Sequence, residues 1–144
     1  MPREPAASAV TARTAVPAVP PACDQQIRIY ETAGRTVVQL LGEIDIAVVL
    51  RITAAMDAAT GRPQADVVID LGPVDFLDCS GLGLLCRARR RVEERSGRLT
   101  LACPHPTIRR MLKIVDLSRI FALRMTLDEA LDPLEPSDSR ARIP

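Results

Sequence analysis

The sequence predicts an α/β fold: a mixed, mostly parallel sheet of four to five strands with helices packed against it. Three features carry that prediction. Strand-like and helix-like segments alternate after an opening strand pair, and such alternation calls for parallel strands joined by right-handed crossovers. The segment "ADVVIDLG" is a continuous apolar run of strand length, the pattern of a central strand buried on both faces. Between the strands, apolar residues recur at spacings of three and four, the period of a helix with one buried face.

The elements follow in order. "QIRIYETAGRTVVQLLG" holds two strand-like runs separated by Ala33-Gly34 and reads as a hairpin, with Gly42 ending its second strand. Asp45 is placed to cap a helix whose face carries Val49, Ile52, Met56 and Ala59. Gly61-Arg62-Pro63 stops that helix. The buried strand "ADVVIDLG" comes next. After "PVDFLDCS", the residues Gly81, Leu84, Leu85, Ala88 and Val92 mark an amphipathic helix, broken at Ser96-Gly97. "RLTLACP" is a strand. Ile108, Met111, Leu112 and Val115 mark another helix, with Pro106 suited to its first turn. "IFALRM" is a short strand, and Thr126 with Glu129 forms a capping box for a last short helix.

Residues 1–24 are Ala/Pro-rich and read as a disordered tail, as do residues 133–144. That leaves 25–132 as one domain, an ordinary size for 144 residues. Hydrophobic residues make up 47% and aromatics only 2%, so the core must be aliphatic. A net charge of +1, from 19 basic and 18 acidic residues, gives no reason to expect a nucleic-acid or anionic-membrane partner. The basic run "RARRRVEER" is read as a solvated helix face. No apolar stretch reaches the roughly 20 residues of a membrane span. Prolines interrupt any signal-peptide core, so the cytoplasm is the expected location. Cys23, Cys79, Cys86 and Cys103 contain no C-x-x-C pair, and no metal, disulfide framework or cofactor is expected of them.

The chemistry concentrates in "FLDCSGLG", where a strand hands over to a helix. Ser80 stands where the first backbone N–H groups of a helix lack partners, and the plain reading makes it the N-cap. The functional reading uses the same physics: a phosphate on Ser80 would meet those N–H groups and the positive end of the helix dipole. It would add about −2 charge beside Asp78. Hydrolase chemistry is the weaker reading, because the lone His105 is the only histidine base and "CSGLG" is not a G-x-S-x-G elbow. Strand alternation would turn Cys79 inward as a packed core thiol.

These residues resemble a known signature. "VVIDLGPVDFLDCSGLGLL" is similar to the phosphorylation motif of the STAS domain of bacterial anti-sigma factor antagonists, and "LLGEIDIAVVLRI" to the family's second motif, a strand ending in Gly-Glu-x-Asp. The resemblance implies a STAS-type fold and a binding switch in place of an enzyme. The unphosphorylated protein would bind an anti-sigma factor of the serine-kinase type and so free a sigma factor. That kinase would phosphorylate Ser80 and weaken the complex, and a PP2C-type phosphatase would restore it. Asp45, Asp78, Cys79, Gly81, Leu82 and Gly83 would lie near the phosphosite or on the partner surface. Cys79 stands where the family often has Ser or Thr. The alternative is a STAS subunit of a larger assembly, a lipid-transport ABC complex or a stress-sensing particle, with no phosphorylation cycle. A homodimer stays open as well.

Overall fold

The computed structural model of the chain describes residues 25–131. The segments 1–24 and 133–144, read above as tails, lie outside the described residues. In chain order the elements are β1 (Ile27–Thr32), β2 (Arg35–Leu40), β3 (Gly42–Ile44), α1 (Ile46–Thr60), β4 (Asp66–Asp70), β5 (Val74–Leu77), α2 (Cys79–Glu94), β6 (Arg98–Ala102), α3 (Pro106–Ile114), a single 3₁₀ turn (Leu117–Arg119), β7 (Ala122–Arg124) and α4 (Leu127–Leu131).

The hairpin forms where the sequence places it. Ala33 and Gly34 both hold positive φ, 53° and 78°, as a two-residue type I′ loop requires. Five strands make the main sheet in the order β1-β2-β4-β6-β7. Among the described residues β1 and β2 pair antiparallel, and the other ladders of this sheet are parallel. The sheet is therefore mixed and mostly parallel, and "ADVVIDLG" supplies its central strand.

β4 is buried on both faces because each face is covered. Val67 and Ile69 join Val38, Leu40, Leu99 and Leu101 in the main core beneath the helices. Val68 faces the other way, with Val37 and Ala102, under Ala130 of α4. The core is aliphatic, with Phe121 its one buried aromatic.

Four details differ from the sequence reading. Two further strands, β3 and β5, form a separate parallel pair beside the main sheet. The buried face of α1 runs through Val48, Ile52, Ala55, Met56 and Ala59, with Val49 only partly buried at its edge. α3 ends at Ile114, so Val115 is its C-cap and is 47% exposed. The arginine run on α2 is more than a solvated face. Arg87 makes a two-pronged bond to Asp57 of α1, at 2.8 and 2.7 Å. Arg91 reaches the Thr60 hydroxyl at 3.1 Å and the Asp57 carbonyl at 2.9 Å. These bonds tie α1 to α2 along the C-terminal half of their seam, and a shared bidentate network of this kind holds better than isolated surface pairs. Among the described residues, no helix is long and apolar enough to cross a membrane.

Candidate functional site

β3 and β5 are short, but they set two helix starts side by side. Ile44 and Leu77 are register partners in the parallel pair. Both are fully buried, and the chain continues from each straight into a helix. Asp45 caps α1, accepting the Val48 amide on Oδ1 at 3.1 Å. Asp78 caps α2, accepting the amides of Ser80 and Gly81 on Oδ1 at 2.9 and 3.1 Å. The Asp78 amide in turn donates to the Ile44 carbonyl at 3.3 Å, which locks the two starts together.

Ser80 is therefore not the cap, as the plain reading had it. Asp and Ser are equally good caps by preference. Burial of Leu77 decides between them, because it ends the strand and leaves Asp78 in extended conformation as the half-in residue. Ser80 becomes the second residue of α2. Its hydroxyl is freed from capping and donates to Asp78 Oδ1 at 2.5 Å. The same shift corrects Cys79. It is the first helical residue, outside the strand's alternation, and its thiol is exposed. Cys86 is half-buried and packs against the core, and Cys103 is buried within it.

The carboxyl of Asp78 is held below its ordinary range, chiefly by the Ser80 hydroxyl and further by the Gly81 and Ser80 amides. It is thus a carboxylate at neutral pH. Because its folded value is depressed, its contribution to stability is present above the unfolded carboxylate range and lost as pH falls through the lowered value.

The neighbouring residues divide into packing and surface. Gly81 is buried, and a Cβ there would stand 2.5 Å from Leu77 Cδ1 and 3.3 Å from the Ile44 carbonyl. Its lack of a side chain lets α2 lie close over β3 and β5. Leu82 is a core residue. Gly83 is exposed, and a Cβ there would meet nothing within 4 Å. In the free protein, Gly83→Ala is expected to raise stability by about 0.5–1 kcal/mol, because it removes a helix-interior glycine without a clash. The midpoint of a urea melt at unchanged slope checks this.

The arrangement presents a hydroxyl, hydrogen-bonded to a carboxylate, at the mouth of a helix. That geometry keeps the oxygen's lone pairs available to an electrophile delivered from outside. It does not join Ser80 to a histidine. The His105 ring is engaged elsewhere, with Nε2 at 3.1 Å from the Leu71 carbonyl and 2.9 Å from that of Gly72. Among the described residues, no group of three or more His, Cys, Asp or Glu is arranged to hold a metal ion.

The sequence reading missed one part of this end of the molecule. Ile46, Leu50 and Phe76 are apolar yet 55%, 74% and 49% exposed. The signal was present in α1, where Ile46 and Leu50 fall one helical turn apart and off the buried face.

Comparison with known proteins agrees with this fold. A STAS domain family model matches residues 26–130. An anti-sigma F factor antagonist of Lysinibacillus sphaericus is 31% identical over 102 residues, which cover 70% of this chain and 86% of that protein. Among solved structures, an anti-sigma factor antagonist from Mycobacterium paratuberculosis superposes with a TM-score of 0.66 at 30% identity, over 73% of this chain and 89% of that one. The Bacillus cell fate determinant SpoIIAA in its phosphorylated form superposes with a TM-score of 0.57 at 27% identity, over 75% of this chain and 98% of that one.

Proposed function

The chain belongs to the STAS domain family, and on that footing we propose that it is an anti-sigma factor antagonist whose binding is switched by phosphorylation of Ser80. One observation carries the reading. The Ser80 hydroxyl is spared from capping, oriented by Asp78 and set at a helix N-terminus. The same fold with a phosphorylated form is found in a similar protein, and similar proteins are named as antagonists of anti-sigma factors.

In this reading the unphosphorylated protein occupies an anti-sigma factor and releases its sigma factor in the cytoplasm. The anti-sigma factor is a serine kinase. It brings ATP to Ser80, and the hydroxyl oxygen attacks the γ-phosphorus as ADP leaves. The phosphoserine carries about −2 charge next to an ionised Asp78. The two anions compete for the amides of Ser80 and Gly81, and the surface that the partner met is no longer the same. A PP2C-type phosphatase returns the hydroxyl. Gly83 and Cys79 lie on the partner surface, while Gly81 and Leu82 hold α2 in place beneath it.

The test is reconstitution. A preformed complex of sigma factor and anti-sigma factor from the source organism is mixed with the unphosphorylated chain. Release of the sigma factor, read by size-exclusion chromatography, is the expected outcome. A complex that stays intact at saturating antagonist contradicts the reading.

A further inference from the structure

Two facts about the surface around Ser80 combine. The first is an apolar opening in the seam between α1 and α2. Leu50 lies seven residues before Asp57, and Ser80 seven before Arg87, so each lies two turns back along the same helical stripe. Asp57 and Arg87 bridge the two helices at 2.7 Å. Leu50 and Ser80 must therefore flank the same seam nearer the helix starts, where none of the ion pairs seen among the described residues bridges the two helices. There Leu50 is 74% exposed, and Gly83, one turn before Arg87, leaves open space. Ile46 is exposed one turn before Leu50, and Phe76 is exposed on β5 in register with Glu43, three residues before Ile46.

The second fact is charge. Residues 42–50 and 72–86 carry Glu43, Asp45, Asp75 and Asp78 and not one Lys or Arg. The arginines that follow these two segments are engaged, Arg51 with Gln26 Oε1 at 2.6 Å and Arg87 with Asp57, so in a chain that is close to neutral overall the helix starts are net acidic. That balance favours a partner with basic groups over a second copy of the same surface, an anionic membrane or a nucleic acid.

We infer that Ile46 and Leu50 of α1, with Phe76, form the anchor of the docking surface, and that the partner's matching face is an apolar pocket rimmed by Lys or Arg. This rests on the functional reading above and names the chemistry of the partner in it. The basic rim steers encounter, and the apolar anchor sets residence time. A phosphoryl group on Ser80 would attract that rim at long range, so it acts at contact: it fills the seam with a hydrated dianion where the partner needs an apolar fit.

The test uses the full chain and the purified anti-sigma factor kinase of the source organism. Leu50→Lys and Leu50→Glu both remove the anchor at an exposed position, and their urea midpoints should match wild type. Both are expected to bind at least about tenfold more weakly, as the loss of a well-seated interface side chain does. The Lys variant should be the weaker of the two, and the gap between them should narrow as salt is raised. If both variants bind like wild type while Ser80→Asp is weakened, the functional reading stands and this surface is wrong. If the Glu variant is the weaker, the partner's rim is not basic and the inference falls. If wild type itself binds no anti-sigma factor, the functional reading fails and takes this surface with it.

Discussion

Ser80→Asp is expected to release sigma factor at least about tenfold less effectively than wild type, a loss of about 1.4 kcal/mol in affinity. The substitution does not act by unfolding. An acidic residue in the first turn of α2 faces the positive end of the helix dipole and is tolerated there. Instead it replaces a donor by an acceptor. Asp78 loses the hydroxyl that chiefly holds its carboxyl low, and a second carboxylate comes to stand beside the first. A partner that covers this surface must then dehydrate two like charges, and an anion buried without a partner costs several kcal/mol. Ser80→Ala removes the acceptor oxygen but adds no charge, and Asp78 keeps both amide bonds. It is expected to release sigma factor within about threefold of wild type, since only a partly exposed hydrogen bond is lost. Titration of the sigma–anti-sigma complex with each variant checks both values, and equal potency for Ser80→Asp and wild type contradicts the switch.

Gly97→Ala is expected to cost about 1–3 kcal/mol of stability, toward the upper end, because the added carbon has no room to move into. A Cβ at this position would collide with the Ala65 carbonyl oxygen, stand 2.9 Å from the Ala65 nitrogen and 2.9 Å from Val92 Cγ1. Two of those three contacts are backbone, and that backbone is pinned. Arg98 N donates to the Ala65 carbonyl at 2.8 Å, and Gly97 N to the Val92 carbonyl at 2.9 Å. The chain can make room only by loosening the end of α2 or the start of β6. Urea denaturation should show a lowered midpoint with unchanged slope, the opposite sign to Gly83→Ala in the same protein. A midpoint equal to wild type would mean that the close approach at Gly97 relaxes freely.

The contrast among the glycines shows what the sequence can and cannot carry. In the chain, Gly81 and Gly83 are neighbours at a helix start and Gly97 reads only as a helix break. Only the structure shows that Gly81 and Gly97 sit against neighbours while Gly83 faces open space. The hairpin, the central strand and the amphipathic stripe of α2 were legible because each rests on local chemistry: a turn that accepts positive φ, an unbroken apolar run, a period near 3.6. β3 and β5 were not, because strands of three and four residues leave no period to read. Their pairing is a tertiary fact, and it determines the site. The choice of Asp78 over Ser80 as cap follows from the burial of Leu77, and cap preference alone could not make it. Cys79 moved from core to surface with that same two-residue shift. Ser80 could be singled out as a candidate because a hydroxyl beside an acid at a helix start is a local feature. The apolar flank at Ile46 and Leu50 became visible only once α2 was seen to leave it uncovered.

The most direct measurement of the central claim is site-resolved phosphoryl transfer. Wild type and Ser80→Ala are each incubated with the anti-sigma factor kinase and ATP, and intact mass is followed by peptide mapping. Wild type should gain a single phosphoryl group, mapped to Ser80, and Ser80→Ala should gain none. A phosphoryl group on Ser80→Ala, or one on wild type that maps to another residue, would contradict the assignment of Ser80 as the switch.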